Sequence, residues 1–248
     1  MTTPTFLSEN DLHNMLRVVN APDLGDDGEG LPWSTLHALM ALIPCKAIGF
    51  TGMDVDHHRH YLEQAVGDPG PPNDGAAFWA HYRDSDCSYP ERTGDFHSVL
   101  MTTDFSTLHE YRQTPIYVDY FGLLDHDKAM DASLPDGPGR QLRLILFRGR
   151  ADPEFTERDR ALIILLRPHL HAAHQQVLRR RLGIPELTNR QWELLRLVEA
   201  GLSNAQIARR LHVADNTVRK HLENIFDRLQ VLSRTAAVAR AFPGRLPP

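Results

Sequence analysis

Residues 215–225 read DNTVRKHLENI, and Leu229 follows one helical turn later. Val218, Leu222, Ile225 and Leu229 recur at spacings of four, three and four, which draws one apolar stripe along a helix. Asn216, Arg219, Lys220 and Glu223 fall on the opposite side and make a row of long, donor-rich side chains. One face asks for a core and the other for a polar partner. The whole chain nevertheless carries a formal charge of −5.

That charge is unevenly spread. From residue 183 onward ten Arg and Lys face six Asp and Glu, a balance of +4, while 17 basic and 26 acidic residues leave the part before it at −9. A small basic segment on an acidic carrier attracts phosphate backbones. The same position is a natural boundary. A helical stretch over 155–182 begins with Thr156 and Asp159 in capping positions, and Gly183 followed by Pro185 stops it. Pro168 inside the stretch predicts a kink or a break into two helices. Two domains are therefore expected, 1–182 and 183–248.

Within the basic segment four short helices are predicted. Thr188 with Gln191, and Ser203 with Gln206, each make a capping box, Gly201 ends the first helix, and Ser233 caps the last. Ile207 and Leu211 give the second, very short helix its inner face. A short helix, a tight turn at Val213–Ala214 and a second helix with a polar outer face make a helix-turn-helix, whose second helix enters the major groove.

Leu187, Thr188, Arg190 and Leu195, then GLSN and IARRL, Thr217-Val218, His221, Asn224-Ile225, Leu229 and SRTAAVA stand at the spacing of the LuxR/GerE-type helix-turn-helix domain, which residues 187–241 resemble. The resemblance implies that Thr217 holds a phosphate, that Ser203 and Asn204 brace the backbone, and that Arg219, Lys220 and Glu223 face base edges. Arg and Lys donate to guanine, and Glu accepts from the cytosine amino group; Glu223 could instead pair with Arg219 or Lys220. Gln191 stands where the family usually has Glu. Ala214 stands where it usually has Ser, so Asp215 or Asn216 would have to cap the recognition helix. The resemblance also implies a homodimer paired through the last helix, 233–242, by Ala236, Ala237, Val238 and Ala241, on an inverted-repeat operator. RNA polymerase is a possible further partner. Sigma-factor region 4 domains share the pattern but normally follow a polymerase-binding helical region.

The first 182 residues alternate helix and strand without a regular parallel-sheet period. Residues 32–43 read as a helix, CKAIGFTGMD and RHYLEQAVG as strands joined at 54–58, GDPGPPNDG as a loop, and AAFWAHYRD and STLHEYRQTPIYVDYFG as helices. KAMDASL and QLRLILFRG flank PDGPG as a hairpin of half-buried strands. The expected fold is an α+β sandwich around an antiparallel sheet, followed by an all-α four-helix domain. The stretches FWAHYRDSDCSYP, YRQTPIYVDYFG and FTERDRALIILLRPHL resemble bacterial LuxR-type regulators with GAF-like N-terminal domains. That resemblance implies a sensor or dimerisation domain with a small-molecule pocket, for which Phe50, Trp79, Tyr82, Tyr117 and Phe121 are candidate walls. The Asp-Pro pair of acyl-homoserine lactone receptors is missing.

Other classes find less support. A phosphorylation receiver needs acidic residues and a Lys in an order not found here, and an ATP-driven regulator needs a phosphate loop. Asp54, Asp56, His57, His58 and His60 are potential metal ligands, and Asp56-His57-His58 echoes a metal-dependent phosphoesterase signature, but they cluster at a strand–strand turn where a solvated tip is the plainer reading. His169, His171 and His174 are expected on a hydrated helix face. Cys45 and Cys87 belong to no paired motif. No catalytic residue, metal site or cofactor is read. The longest apolar run, 161–166, is too short to span a bilayer, and the first residues lack a secretory signal. The expectation is a cytoplasmic protein that binds double-stranded DNA and no membrane, with ligand-independent scaffolding by the N-terminal domain as the alternative to sensing.

Overall fold

The computed structural model describes residues 7–21, 29–71, 75–134, 136 and 139–242. The chain forms two compact units, residues 1–177 and 178–248. Among the described residues no helix is long and apolar enough to cross a membrane.

The first unit begins with α1 (Glu9–Val19), started by a capping box between Ser8 and Asp11, and α2 (Trp33–Leu42). A hairpin follows, β1 (Ala47–Asp54) and β2 (Arg59–Gly67), then α3 (Ala76–His81), α4 (Tyr89–Thr93), the short β3 (Val99–Met101) and α5 (Leu108–Tyr111). A π-helical turn over Tyr117–Phe121 leads into β4 (Lys128–Leu134) and β5 (Arg140–Arg148), and α6 (Glu157–Arg181) closes the series. The turn is closed by Gly122, whose N–H reaches the Tyr117 carbonyl at 2.7 Å. A Cβ there would stand 2.8 Å from that same oxygen, so the tight approach needs glycine.

The five strands form one antiparallel sheet in the order β2-β1-β5-β4-β3. Strand alternation sends successive side chains to opposite faces. Ile48, Phe50, Leu142, Leu144, Leu146, Met130 and Ala132 share one core with Leu36 and Leu39 of α2 and with Leu162, Ile163, Leu166 and Leu170 of α6. Ala47, Met53 and Phe147 instead join Phe78, Tyr82, Tyr111, Ile116 and Phe121 in a second core. The sheet is thus the middle of three layers, and β5 is covered on both faces rather than half-buried. Of the two Gly/Pro-rich segments, residues 72–74 and most of 135–139 lie outside the described residues.

Buried charges are paired. Asp127, wholly enclosed, takes a two-pronged bond from Arg112 at 2.7 Å on each oxygen, with the Tyr117 hydroxyl at 2.9 Å and Lys128 Nζ at 3.2 Å. The Arg112 bonds hold this carboxyl down to about 2.

Of the kink or break expected at Pro168 the break does not occur, and one expectation for the α6 histidines changes. The helix runs unbroken past Pro168: Pro168 has no N–H to offer the Ile164 carbonyl, but both residues are exposed and water can serve that oxygen. His174 is not on a hydrated face. It is buried, with Nδ1 2.8 Å from the Gly30 carbonyl and its ring 5.2 Å from that of Phe50.

After Gly183, in the left-handed conformation, the second unit holds α7 (Asn189–Glu199), α8 (Asn204–Leu211), α9 (Asp215–Leu229) and α10 (Arg234–Ala241). Both expected capping boxes are formed, and the Ser233 hydroxyl accepts from the Ala236 N–H. Leu194, Leu195, Val198, Ile207, Val218, Leu222, Ile225 and Leu229 make its core.

Candidate functional site

In the second unit α8 ends on His212, left-handed at φ 54°, and the chain turns through Val213 and Ala214 into α9. Val218, Leu222, Ile225 and Leu229 face the core, which leaves Asn216, Thr217, Arg219, Lys220 and Glu223 exposed. The nearest carboxylate to Arg219 is Asp215, at a loose 3.9 Å. Among the described residues Glu223 makes no ion pair with Arg219 or Lys220. The exposed face therefore keeps its donors and its one central carboxylate available.

Ala214 occupies the cap position in an extended conformation, φ −74° and ψ 151°, without a side-chain bond. Neither Asp215 nor Asn216 takes over the cap, because the helix already includes both. Asp215 still favours the positive helix start by its charge.

The Ser203 hydroxyl is used in capping its own helix. Asn204 Oδ1 accepts from Arg234 Nη1 at 3.1 Å, and Arg234 Nη2 also donates to the Leu202 carbonyl. Arg190 bonds Glu193 at 2.7 Å and the Leu211 carbonyl at 3.1 Å, tying α7 to the end of α8. Arg234 and Arg190 are scaffold residues whose roles the sequence reading missed. Their signal was present, an arginine beside a cap, but it names no partner. A correction applies to α10: Ala237 and Ala241 are buried in this unit's own core, because they lie on the helix face turned to α7 and α9. Only Ala236 and Val238 of the four small residues keep some exposure.

The first unit has a cavity of about 640 Å³ on the β-face that carries the second core. Its walls include Met53, Phe78, Tyr111, Phe121, Ile145 and Phe147, with Asp131, Arg143 and His126 among the polar residues. Pairing explains the polar floor. Thr51 faces Arg143 across β1 and β5, and Arg143 faces Ser133 across β5 and β4, so Asp131 is its diagonal neighbour. Arg143 Nη1 meets Asp131 Oδ2 at 3.0 Å. Burial pushes the Asp131 carboxyl above its ordinary range, against the pull of Arg143.

Of the five aromatic residues expected as walls, Phe121 lines the cavity. Trp79, Tyr82 and Tyr117 pack into the same aromatic layer without lining it: Trp79 stacks on His58 at 5.5 Å, Tyr82 reaches Arg143 and Glu91, and Tyr117 is held by Asp127. Phe50 is on the wrong face. Gly49 and Thr51 point to the cavity, so Phe50 between them must point to the other core.

At the β1–β2 turn Asp54 is committed to His57 Nδ1 at 2.7 Å and to Arg59 at 3.1 Å. Among the described residues no group of three or more His, Cys, Asp or Glu is placed to share a metal ion.

Residues 185–241 match the family model of bacterial regulatory proteins, luxR family, so this segment is a GerE/LuxR-family helix-turn-helix domain. It is similar to the HTH-type transcriptional regulator MalT of Vibrio campbellii, 40% identical over 55 residues, which are 22% of this chain and 6% of that relative's length. Among solved structures, the VqsR LBD domain from Pseudomonas aeruginosa is similar at TM-score 0.48 and 16% identity, covering 68% of this chain and 95% of that one. SdiA in complex with octanoyl-rac-glycerol is similar at TM-score 0.38 and 15% identity, covering 97% and 96%.

Proposed function

We propose that the protein is a sequence-specific transcription regulator in which residues 183–248 read double-stranded DNA and residues 1–182 sense a small molecule. The observation that carries the first part is the unengaged polar face of α9, set opposite a fully buried apolar one. Laid in a major groove, Arg219 and Lys220 donate to guanine edges and Glu223 accepts from a cytosine amino group. Thr217 and Asn216, at the helix start, meet phosphate, with Ser203 and Asn204 bracing the backbone from α8. The cavity supports the second part, since about 640 Å³ with apolar walls and a few convergent polar groups suits a small ligand.

A homodimer on an inverted repeat follows from two-fold symmetry, with half-sites about one helical turn apart. Pairing through α10 would use its exposed side, with Ala239 and the wholly exposed Leu232 just before it, rather than Ala237 and Ala241. The protein would act in the cytoplasm, where DNA and polymerase are found.

Selection of bound duplexes from a random pool with the full chain tests this reading. Enriched sites should be two-fold symmetric. Enrichment of no sequence at all would overturn the regulator assignment, and enrichment of an asymmetric single site would overturn the dimer.

A further inference from the structure

The cavity's polar atoms say what kind of molecule it takes. Among the described residues Arg143 is the one guanidinium on its wall, and it is already spent. Its side chain is 2% exposed, Nε donates to Gln141 at 3.2 Å, Nη1 to Asp131 at 3.0 Å and Nη2 to the Cys87 carbonyl at 2.6 Å and the Tyr82 hydroxyl at 3.2 Å. Around this one positive charge stand two negative ones, Asp131 and Glu91, the latter with Oε2 at 3.5 Å from Nη2. Asp86 adds another carboxyl to the lining. An anionic ligand would have to break several of Arg143's bonds and would face these carboxylates in a low-dielectric space.

Among the described residues, two polar groups on the same wall keep bonding capacity. Asp131 Oδ1 is buried and meets no donor among the described residues. His126 is 4% exposed, and its ring makes no well-aligned hydrogen bond among the described residues, with the Asp68 backbone as a weak polar neighbour. Its ring lies on that of Phe147 at 3.9 Å and 9°. Burial, with Lys46 nearby, lowers this imidazole to about 4, so it is neutral at pH 7 and offers one donor and one acceptor. Buried polar atoms left without partners are costly and rare, and a ligand can satisfy them. Asp131 stands opposite Ile145 on β5, and Phe147 lies two residues further along the same strand. Two residues of strand rise separate these points by roughly 7 Å.

We propose that the cavity binds an apolar, ring-sized molecule with an amino head group that donates to Asp131 Oδ1, and a second polar group, further along β5, that meets His126. This assignment rests on the sensing reading and specifies the ligand class for it. An alcohol in place of the amine supplies a donor without the charge and binds more weakly. A carboxylate in the same place is rejected.

Three near-isosteric probes test it on the full chain by calorimetric titration: tyramine, tyrosol and 3-(4-hydroxyphenyl)propanoate. The expected order is amine first, alcohol second, and no heat from the acid at millimolar concentration. Asp131→Asn should weaken tyramine at least about tenfold, equivalent to roughly 1.4 kcal/mol, and narrow the gap to the acid. The ranking in the unaltered protein carries the test alone if that variant folds poorly. The acid binding as tightly as the amine overturns the head-group assignment while leaving sensing intact. No binding by any probe overturns the assignment too, and a native mass spectrum then judges sensing separately, by whether a small molecule of any class leaves with denaturation.

Discussion

Arg234, at the start of α10, donates to Asn204 Oδ1 at 3.1 Å and so fastens the first residue of α8 to the far end of the four-helix unit. With its second bond to the Leu202 carbonyl, one guanidinium fixes the loop that leads into the helix-turn-helix. Arg234→Ala leaves both acceptors without this donor. It should lower stability by about 1–2 kcal/mol, read as a fall in the urea midpoint at unchanged slope. Arg234→Lys should recover only part, because an ammonium cannot present two parallel donors.

Arg219→Ala with Lys220→Ala should leave the fold intact, since both side chains are exposed. Affinity for a selected operator should fall by about 1–3 kcal/mol per lost base contact. Gel shifts over a range of salt check the assignment. A base-reading role lowers specific binding far more than binding to random duplex, whereas a pure phosphate role lowers both alike and flattens the salt slope by about one for each residue.

The Arg112 bonds to Asp127 give stability a defined acid dependence. The folded carboxyl titrates at about 2 and an unfolded aspartate near about 3.9. The stabilisation is therefore fully present above pH ~4 and is lost as pH falls through 2. Melting temperature against pH should drop over this window in the unaltered protein and more shallowly in Asp127→Asn. The latter should also cost about 2–4 kcal/mol at neutral pH, because Arg112 and Lys128 lose their charge partner. Asp11, also lowered to about 2, chiefly by its bond to Arg158, supplies part of the same slope and keeps the variant from being flat.

Ala214→Ser puts a hydroxyl where α9 begins without a side-chain cap. The backbone there is already extended, as a serine cap requires. The expected gain is about 0.5–1 kcal/mol in denaturant unfolding. A loss instead would show that the turn between α8 and α9 has no room for an oxygen.

The second unit was almost wholly legible, for a physical reason. Its elements are short and local, so caps such as Thr188–Gln191 and Ser203–Gln206 and the stripe from Val218 to Leu229 are written within a few residues of each other. The first unit's architecture was legible too, down to the β4–β5 hairpin. Its details were not. The box of Ser8 and Asp11 that starts α1 stood in plain view yet no helix was read there, and β3 at three residues is too short for any period to show. The cavity was least legible. Aromatic residues fill cores and line pockets alike, and alternation along β1 does not say which of its two faces, that of Phe50 or that of Thr51, meets the cavity. Arg143, between Leu142 and Leu144, reads as the polar side of a half-solvated strand, so the enclosure of that second face left no mark in the sequence.

The alternation along β1 has a consequence for how such a protein can change over generations. Ile48 and Phe50 hold the core while Gly49 and Thr51, beside them in the chain, touch only the cavity side. Substitutions at the second pair alter what the chamber admits without disturbing the packing that keeps the domain folded. Selectivity and foldability are thus interleaved residue by residue and can still be inherited as separate traits.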